Sequence, residues 1–147
     1  MKRQILTLLG VALLTAADTP SDEASKKDLE RMQGDWARVE LVLDGQKYTG
    51  DDALGAFRTV KGDHYTVFRW EKPLGGGTFK IDASQKPRTI DLFPTNSPMG
   101  KPIRAIYEWD GERLRICNAA PGKDRPTDFS AKAGSGHTVN VWERERK

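Results

Sequence analysis

From residue 35 onward the chain is written in short stretches of alternating side-chain character, each cut off by glycine or proline, and this rhythm decides the fold class. Residues 35–43 set Val39, Leu41 and Leu43 on one face, with Arg38 and Glu40 beside Trp36 and Val42 on the other. A period of two is the mark of a half-buried strand. Asp44-Gly45 follows, and Asp-Gly between extended runs favours a hairpin because both residues tolerate positive φ. Gln46–Thr49 is the short return strand. Similar stretches recur over 58–61, 64–71, 78–82, 89–93, 103–109, 112–118 and 137–143. Gly62-Asp63, Pro73, Gly75-Gly76-Gly77, Lys86-Pro87-Arg88 and a second Asp-Gly, Asp110-Gly111, separate several of them.

The count is about eight or nine strands in meander order, with no internal repeat and no β-α-β rhythm of a nucleotide-binding sheet. A meander of this length leaves bare edges unless its first and last strands pair. The expected fold is therefore all-β, an up-and-down antiparallel barrel, with an open sandwich as the alternative. Two short helical turns interrupt the pattern. Leu29 and Met32 stand three apart, capped by Ser25 or Asp28 and stopped by Gly34 before Trp36 opens the first strand. Residues 50–57 read as a second capped turn with Leu54 and Phe57 pointing inward. Asp51 and Asp52 at its start suit the helix dipole better than a catalytic pair, because neighbouring side chains on a helix diverge.

The N-terminal end carries a different signal. Lys2 and Arg3, an apolar run over 5–16 and the small residues Thr15-Ala16-Ala17 have the layout of a secretory signal peptide. The run is too short to span a bilayer, so residues 1–17 are expected to be removed, leaving no stable membrane insertion. An uncleaved anchor or a core helix is the alternative. No cysteine follows the run to take a lipid, and residues 18–27 read as a solvated tether. The expected product is exported, periplasmic or secreted, with one domain over 28–147.

Charge and cysteine content narrow the function classes. Lys2 and Arg3 leave with the leader, so 22 of the 24 basic residues face 21 acidic ones. Bases and acids are interspersed, as in Glu143-Arg144-Glu145-Arg146-Lys147, which is not the basic stripe that nucleic acid requires. A single cysteine, Cys117, forbids an internal disulfide, so packing of the four Trp, five Phe and three Tyr must hold the domain.

Several phrases resemble a bacterial domain family of unknown function, abundant in planctomycete-type genomes and described as lipocalin-like. They are Leu29-Glu30-Arg31-Met32-Gln33-Gly34-Asp35-Trp36, Gly75-Gly76-Gly77-Thr78-Phe79-Lys80-Ile81-Asp82 and Pro87-Arg88-Thr89-Ile90-Asp91-Leu92. Ile106-Tyr107-Glu108-Trp109-Asp110-Gly111, Leu114-Arg115-Ile116-Cys117 and Arg125-Pro126-Thr127-Asp128-Phe129 extend the resemblance over nearly the whole expected mature chain. It implies a fold and no reaction. Gly34-Asp35-Trp36 is also similar to the Gly-x-Trp phrase that opens lipocalin barrels. By that resemblance Trp36 closes the barrel floor under an arginine from the far end of the chain, here Arg144. The paired cysteines and the final helix of lipocalins are missing from this sequence.

Candidate chemistry is sparse. Gly75-Gly76-Gly77 opens a strand with no Gly-Lys-Ser/Thr after it, so a bulge or close backbone approach is expected and not a phosphate loop. His64 and His137 are the only histidines, too few at this spacing for a zinc site, and no cofactor is implied. Cys117 is the one candidate nucleophile, against a plain reading as a small apolar side chain. Lys80, Asp82, Asp91 and Tyr107 either line a cup or pair across strands on the outer face. No Ser-His-Asp order, nucleophile elbow or His-Glu-x-x-His is present.

The sequence therefore points first to a binding barrel with a small apolar or amphipathic ligand in its cup. Its walls are expected from Phe68, Trp70, Ile103, Tyr107, Leu114 and Ile116. The second reading is a protein-interaction or inhibitor domain acting through the Pro- and Gly-rich loops 94–102 and 119–136. An enzyme using Cys117 or an Asp/His pair is the third.

Overall fold

The computed structural model describes residues 20–146, so the leader expected at 1–17 lies outside the described residues. A 13-residue helix, α1 (Pro20–Met32), comes first. Asp22 and Glu23 in its first turn and Arg31 in its last complement the helix dipole. Most of the expected tether is thus helical, which corrects the sequence reading. The Ser25 hydroxyl accepts the Ala83 N–H at 3.0 Å and ties the helix to the domain. Gly34, at φ +105°, breaks away from α1 into the first strand, a conformation that a side chain would strain.

Nine strands follow: β1 (Gly34–Leu43), β2 (Gln46–Thr49), β3 (Ala56–Lys61), β4 (His64–Arg69), β5 (Lys72–Asp82), β6 (Arg88–Pro94), β7 (Ile103–Asp110), β8 (Arg113–Asn118) and β9 (Thr138–Arg144). Eight of the nine close an antiparallel barrel, because β9 returns to pair with β1 from Trp36–Arg144 to Leu43–Thr138. The other edge of β1 is shared. Its first half pairs with β3 and its second half with the short extra strand β2. Closure leaves the eight-strand cylinder without a free margin, which removes the edge problem of a long meander.

Asp44 and Gly45 both take positive φ at the β1–β2 turn, as the dipeptide requires. The turn expected over 50–57 is shorter, a 3-10 turn at Gly50–Asp52. Leu54 is 38 % exposed, against the inward expectation. Phe57 also faces out, opposite Phe68, because its neighbours Ala56 and Arg58 take the buried phase of β3.

Bulges decide which residues face in. One in β1, between Arg38 and Glu40, keeps Trp36 and Arg38 inside but turns Val42 outward. A second, where Val67 and Phe68 meet β5, falls beside the glycine run. There a Cβ on Gly76 would lie 2.4 Å from the Tyr65 carbonyl oxygen, and one on Gly77 2.1 Å from that of Phe93. These glycines serve close backbone approach, not phosphate.

Two cores result. The inner one contains Met32, Trp36, Val60, Tyr65, Phe79, Ile90, Leu92, Tyr107, Leu114, Ile116 and Trp142. The outer one lies on the far face of β7, β8 and β9, where Ile106, Cys117, Val139 and Val141 are covered by Ala131 and Phe129. The expected free loop 119–136 is therefore a packed flap. Its Ala131 carbonyl accepts Gly45 N–H at 2.9 Å, Gly134 N–H donates to Asp44 at 2.8 Å, and Arg125 reaches the Ala105 carbonyl at 2.8 Å.

Candidate functional site

The two ends of the barrel are built differently. At the lower end α1 acts as a plug. The Trp36 indole N–H donates to the Met32 carbonyl at 2.8 Å, and the Arg144 guanidinium carbon stands 4.5 Å from the Trp36 ring centroid. Arg144 also donates to the Gln33 carbonyl at 2.8 Å, binding the helix end to the last strand. Asp28 on α1 accepts from the Tyr107 hydroxyl at 2.7 Å, the Trp109 indole at 3.1 Å and Arg88 at 3.2 Å. Burial, and then the bond to this carboxylate, raise the Tyr107 phenol far above its ordinary range, so it stays a donor. The lower half is filled and sealed.

The upper half is a cup. A cavity of about 310 Å³ lies between the strands and opens at the rim formed by Leu74, Gly75, Gly76 and Pro94. Val67, Leu92, Ile103, Ile116 and Trp142 make its apolar wall, and Arg38, Arg58, Asn118 and Asn140 add polar groups to it. An apolar wall with a few polar groups, at the small end of the usual pocket volume range, is compatible with holding a small molecule.

Arg58 is the unusual member. It projects from β3 between Ala56 and Val60 and is 4 % exposed, yet its Nε and Nη2 donate to no acceptor among the described residues. Its guanidinium carbon lies 5.1 Å from the Tyr65 ring and 5.6 Å from the Phe79 ring, contacts that partly compensate a buried cation. Burial lowers its pKa to about 10 against a small opposing effect of Tyr65, so it remains charged at neutral pH. Nearer the rim, Arg38 donates to the Ala53 carbonyl at 3.0 Å and to Asn140 at 3.3 Å. Burial, and then the charge of Arg69, lower its pKa as well. The Asn118 side-chain oxygen, in the same wall, is buried without a partner among the described residues.

The six wall residues expected from sequence divide three ways. Ile103 and Ile116 line the cup. Tyr107 and Leu114 face inward but are buried in the filled core, Tyr107 bound to the plug, which corrects their assignment as ligand contacts. Phe68 and Trp70 are corrected as well. They line a broad open depression on the outer side of β3 and β4 with Phe57, Thr59 and Leu74, and Trp70 is 64 % exposed. Both phases of β4 carry aromatic residues, so alternation alone does not tell Tyr65 and Val67 from Phe68. Arg58 and Trp142 were not among the expected wall residues. The available signal was the in-phase series Ala56, Arg58, Val60, which becomes meaningful only once that face is known to be inside.

The remaining candidates lie elsewhere. Lys80 is exposed opposite Asp91, which contacts Arg125 of the flap at 2.7 Å, and Asp82 accepts from Ser84. His64 stands beside Asp63 on the surface, and no group of His, Cys, Asp and Glu suited to a metal occurs among the described residues. Cys117 is fully buried under the flap, and burial, with Asp128 adding, pushes its thiol up to about 11. That is the setting of an inert thiol and not of a nucleophile. No helix among the described residues is long and apolar enough to cross a membrane. Comparison with family models, with curated proteins and with solved structures gives no match to this chain.

Proposed function

We propose that this chain is an exported, lipocalin-like binding protein that holds one small apolar or amphipathic molecule in the upper cup. The observation that carries the reading is the asymmetry of the barrel: one half filled and plugged by α1, the other keeping about 310 Å³ behind an open rim. A barrel of about eight strands has room for a filled core or for one small ligand, and this one divides its length between the two. Export rests on Lys2, Arg3, the apolar run 5–16 and Thr15-Ala16-Ala17. The resemblance to the lipocalin-like bacterial family is part of the same proposal.

The interaction-domain reading is weaker because loop 119–136 is pinned to the barrel by its backbone and by Arg125. The enzyme reading loses its main candidate with the burial of Cys117. A fluorescence titration with the neutral probe N-phenylnaphthylamine tests the carrier role. Saturable one-to-one binding that disappears in Ile103→Trp, which fills the cup, is expected. Binding left intact by Ile103→Trp would place the probe elsewhere and end the proposal. Export is tested by N-terminal sequencing of protein recovered outside the cytoplasm, with Asp18 expected as the first residue.

A further inference from the structure

The inner wall of the cup contains a positive charge that the protein itself does not answer. Arg58 is buried, and neither it nor Arg38 forms an ion pair with a carboxylate among the described residues. The faces of Tyr65 and Phe79 stand near the guanidinium, while Nε and Nη2 are left without an acceptor. Buried charges in proteins are as a rule paired and hydrogen-bonded, and a donor left unmade is costly. A planar guanidinium fork matches a carboxylate, which it grips through two parallel hydrogen bonds. Arg38 and Asn140 stand in the same wall, and Arg69 adds charge close enough to depress Arg38, so the upper cup is electropositive. Val67, Leu92, Ile103, Ile116 and Trp142 make the rest of the wall mostly apolar, with the Asn118 amide the further polar group on it.

From this juxtaposition we infer, resting on the carrier reading above, that the cup selects an aliphatic carboxylate. The acid goes in head first, its anionic group against Arg58 and its chain directed to the rim at Leu74 and Gly75. Arg58 Nε and Nη2 are closed to solvent in the unliganded protein, so the guanidinium turns towards the cup as the acid enters. The carboxylate then supplies the missing acceptor and counter-charge, and the apolar wall takes the chain. Length is limited by the cup, so a medium chain with its end at the mouth fits better than a long one.

The test compares decanoate with decanol by calorimetric titration of the full exported chain at neutral pH. These probes share a hydrocarbon chain and differ in the head group. A charge-assisted pair in a dry setting is expected to favour decanoate by about ten- to a hundred-fold. In Arg58→Met, which keeps the length of the side chain and removes the charge, the two probes are expected to bind within about threefold of each other. Equal binding of acid and alcohol to the unaltered protein overturns the inference and leaves the carrier reading standing. Binding of neither probe, when N-phenylnaphthylamine also fails to bind, overturns the carrier reading and the inference together. If N-phenylnaphthylamine binds and decanoate does not, only the inference falls. Because the first comparison uses the unaltered protein, the outcome does not depend on the variant folding.

Discussion

Replacing Arg58 by methionine is expected to make the unliganded protein more stable, although it removes a large side chain from the barrel interior. The reasoning starts from burial. A guanidinium whose pKa is carried down to about 10 by burial costs the fold about 3 kcal/mol relative to an exposed one. Two donors without acceptors are the structural counterpart of that cost. Against it stand the contacts with Tyr65 and Phe79, at 5.1 and 5.6 Å to the ring centroids, each worth about 0.5–1 kcal/mol at this separation. Methionine retains apolar contact with both rings, so the net gain is about 1–2 kcal/mol, or a rise in Tm of roughly 5 °C for a domain of this size. Urea unfolding of the ligand-free protein, followed through tryptophan fluorescence, measures the change in midpoint at constant slope. A loss of stability would refute the reasoning, since it would mean that the guanidinium is a net structural element held by its rings. The pH dependence has a definite sign: the folded pKa is depressed, so the penalty is present below about pH 10 and is relieved as pH rises from there towards the ordinary guanidinium range.

Other expectations concern parts remote from the cup. Asp28→Ala leaves the buried Tyr107 hydroxyl and the Trp109 indole without their acceptor and should cost about 2–4 kcal/mol in urea unfolding, with probe affinity unchanged. Ala131→Leu overfills the outer core under the flap and should cost about 1–3 kcal/mol, again without affecting the cup, as unfolding and N-phenylnaphthylamine titrations on one sample will show. Cys117 should resist iodoacetamide at pH 8 in the folded state and react on unfolding, as mass spectrometry can follow. Its pKa is raised from 9.0 to about 11 on folding, so its contribution to stability is present below pH 9 and lost as pH rises through about 11.

Much of the architecture was legible along the chain. The period of two and the punctuation by Asp44-Gly45, Gly62-Asp63, Asp110-Gly111 and the prolines located the strands, because alternation and positive φ are local properties. Trp36, at the start of the first strand as the Gly34-Asp35-Trp36 phrase suggests, lies with the Arg144 guanidinium 4.5 Å from its ring centroid. The candidate site was only half legible. Ile103 and Ile116 were found, whereas Arg58, Arg38 and Trp142 were not. The helical nature of residues 20–27 was hidden because that segment has few apolar residues and draws support from contacts such as Ser25 with Ala83, 58 positions away.

By itself, then, the sequence determined that this chain folds as a strand meander opened by a tryptophan, with too little metal-binding and nucleophilic character to suggest a reaction. Tertiary structure alone decided which phase of each strand faces inward. In β1 that phase changes at the bulge between Arg38 and Glu40, where the strand pairs with β9 about a hundred residues away, and in β5 it changes where the glycine run meets Val67 and Phe68 of β4. One residue of register exchanges the two faces of a strand, and so it is long-range pairing that puts Arg58 inside the barrel and Phe68 outside it.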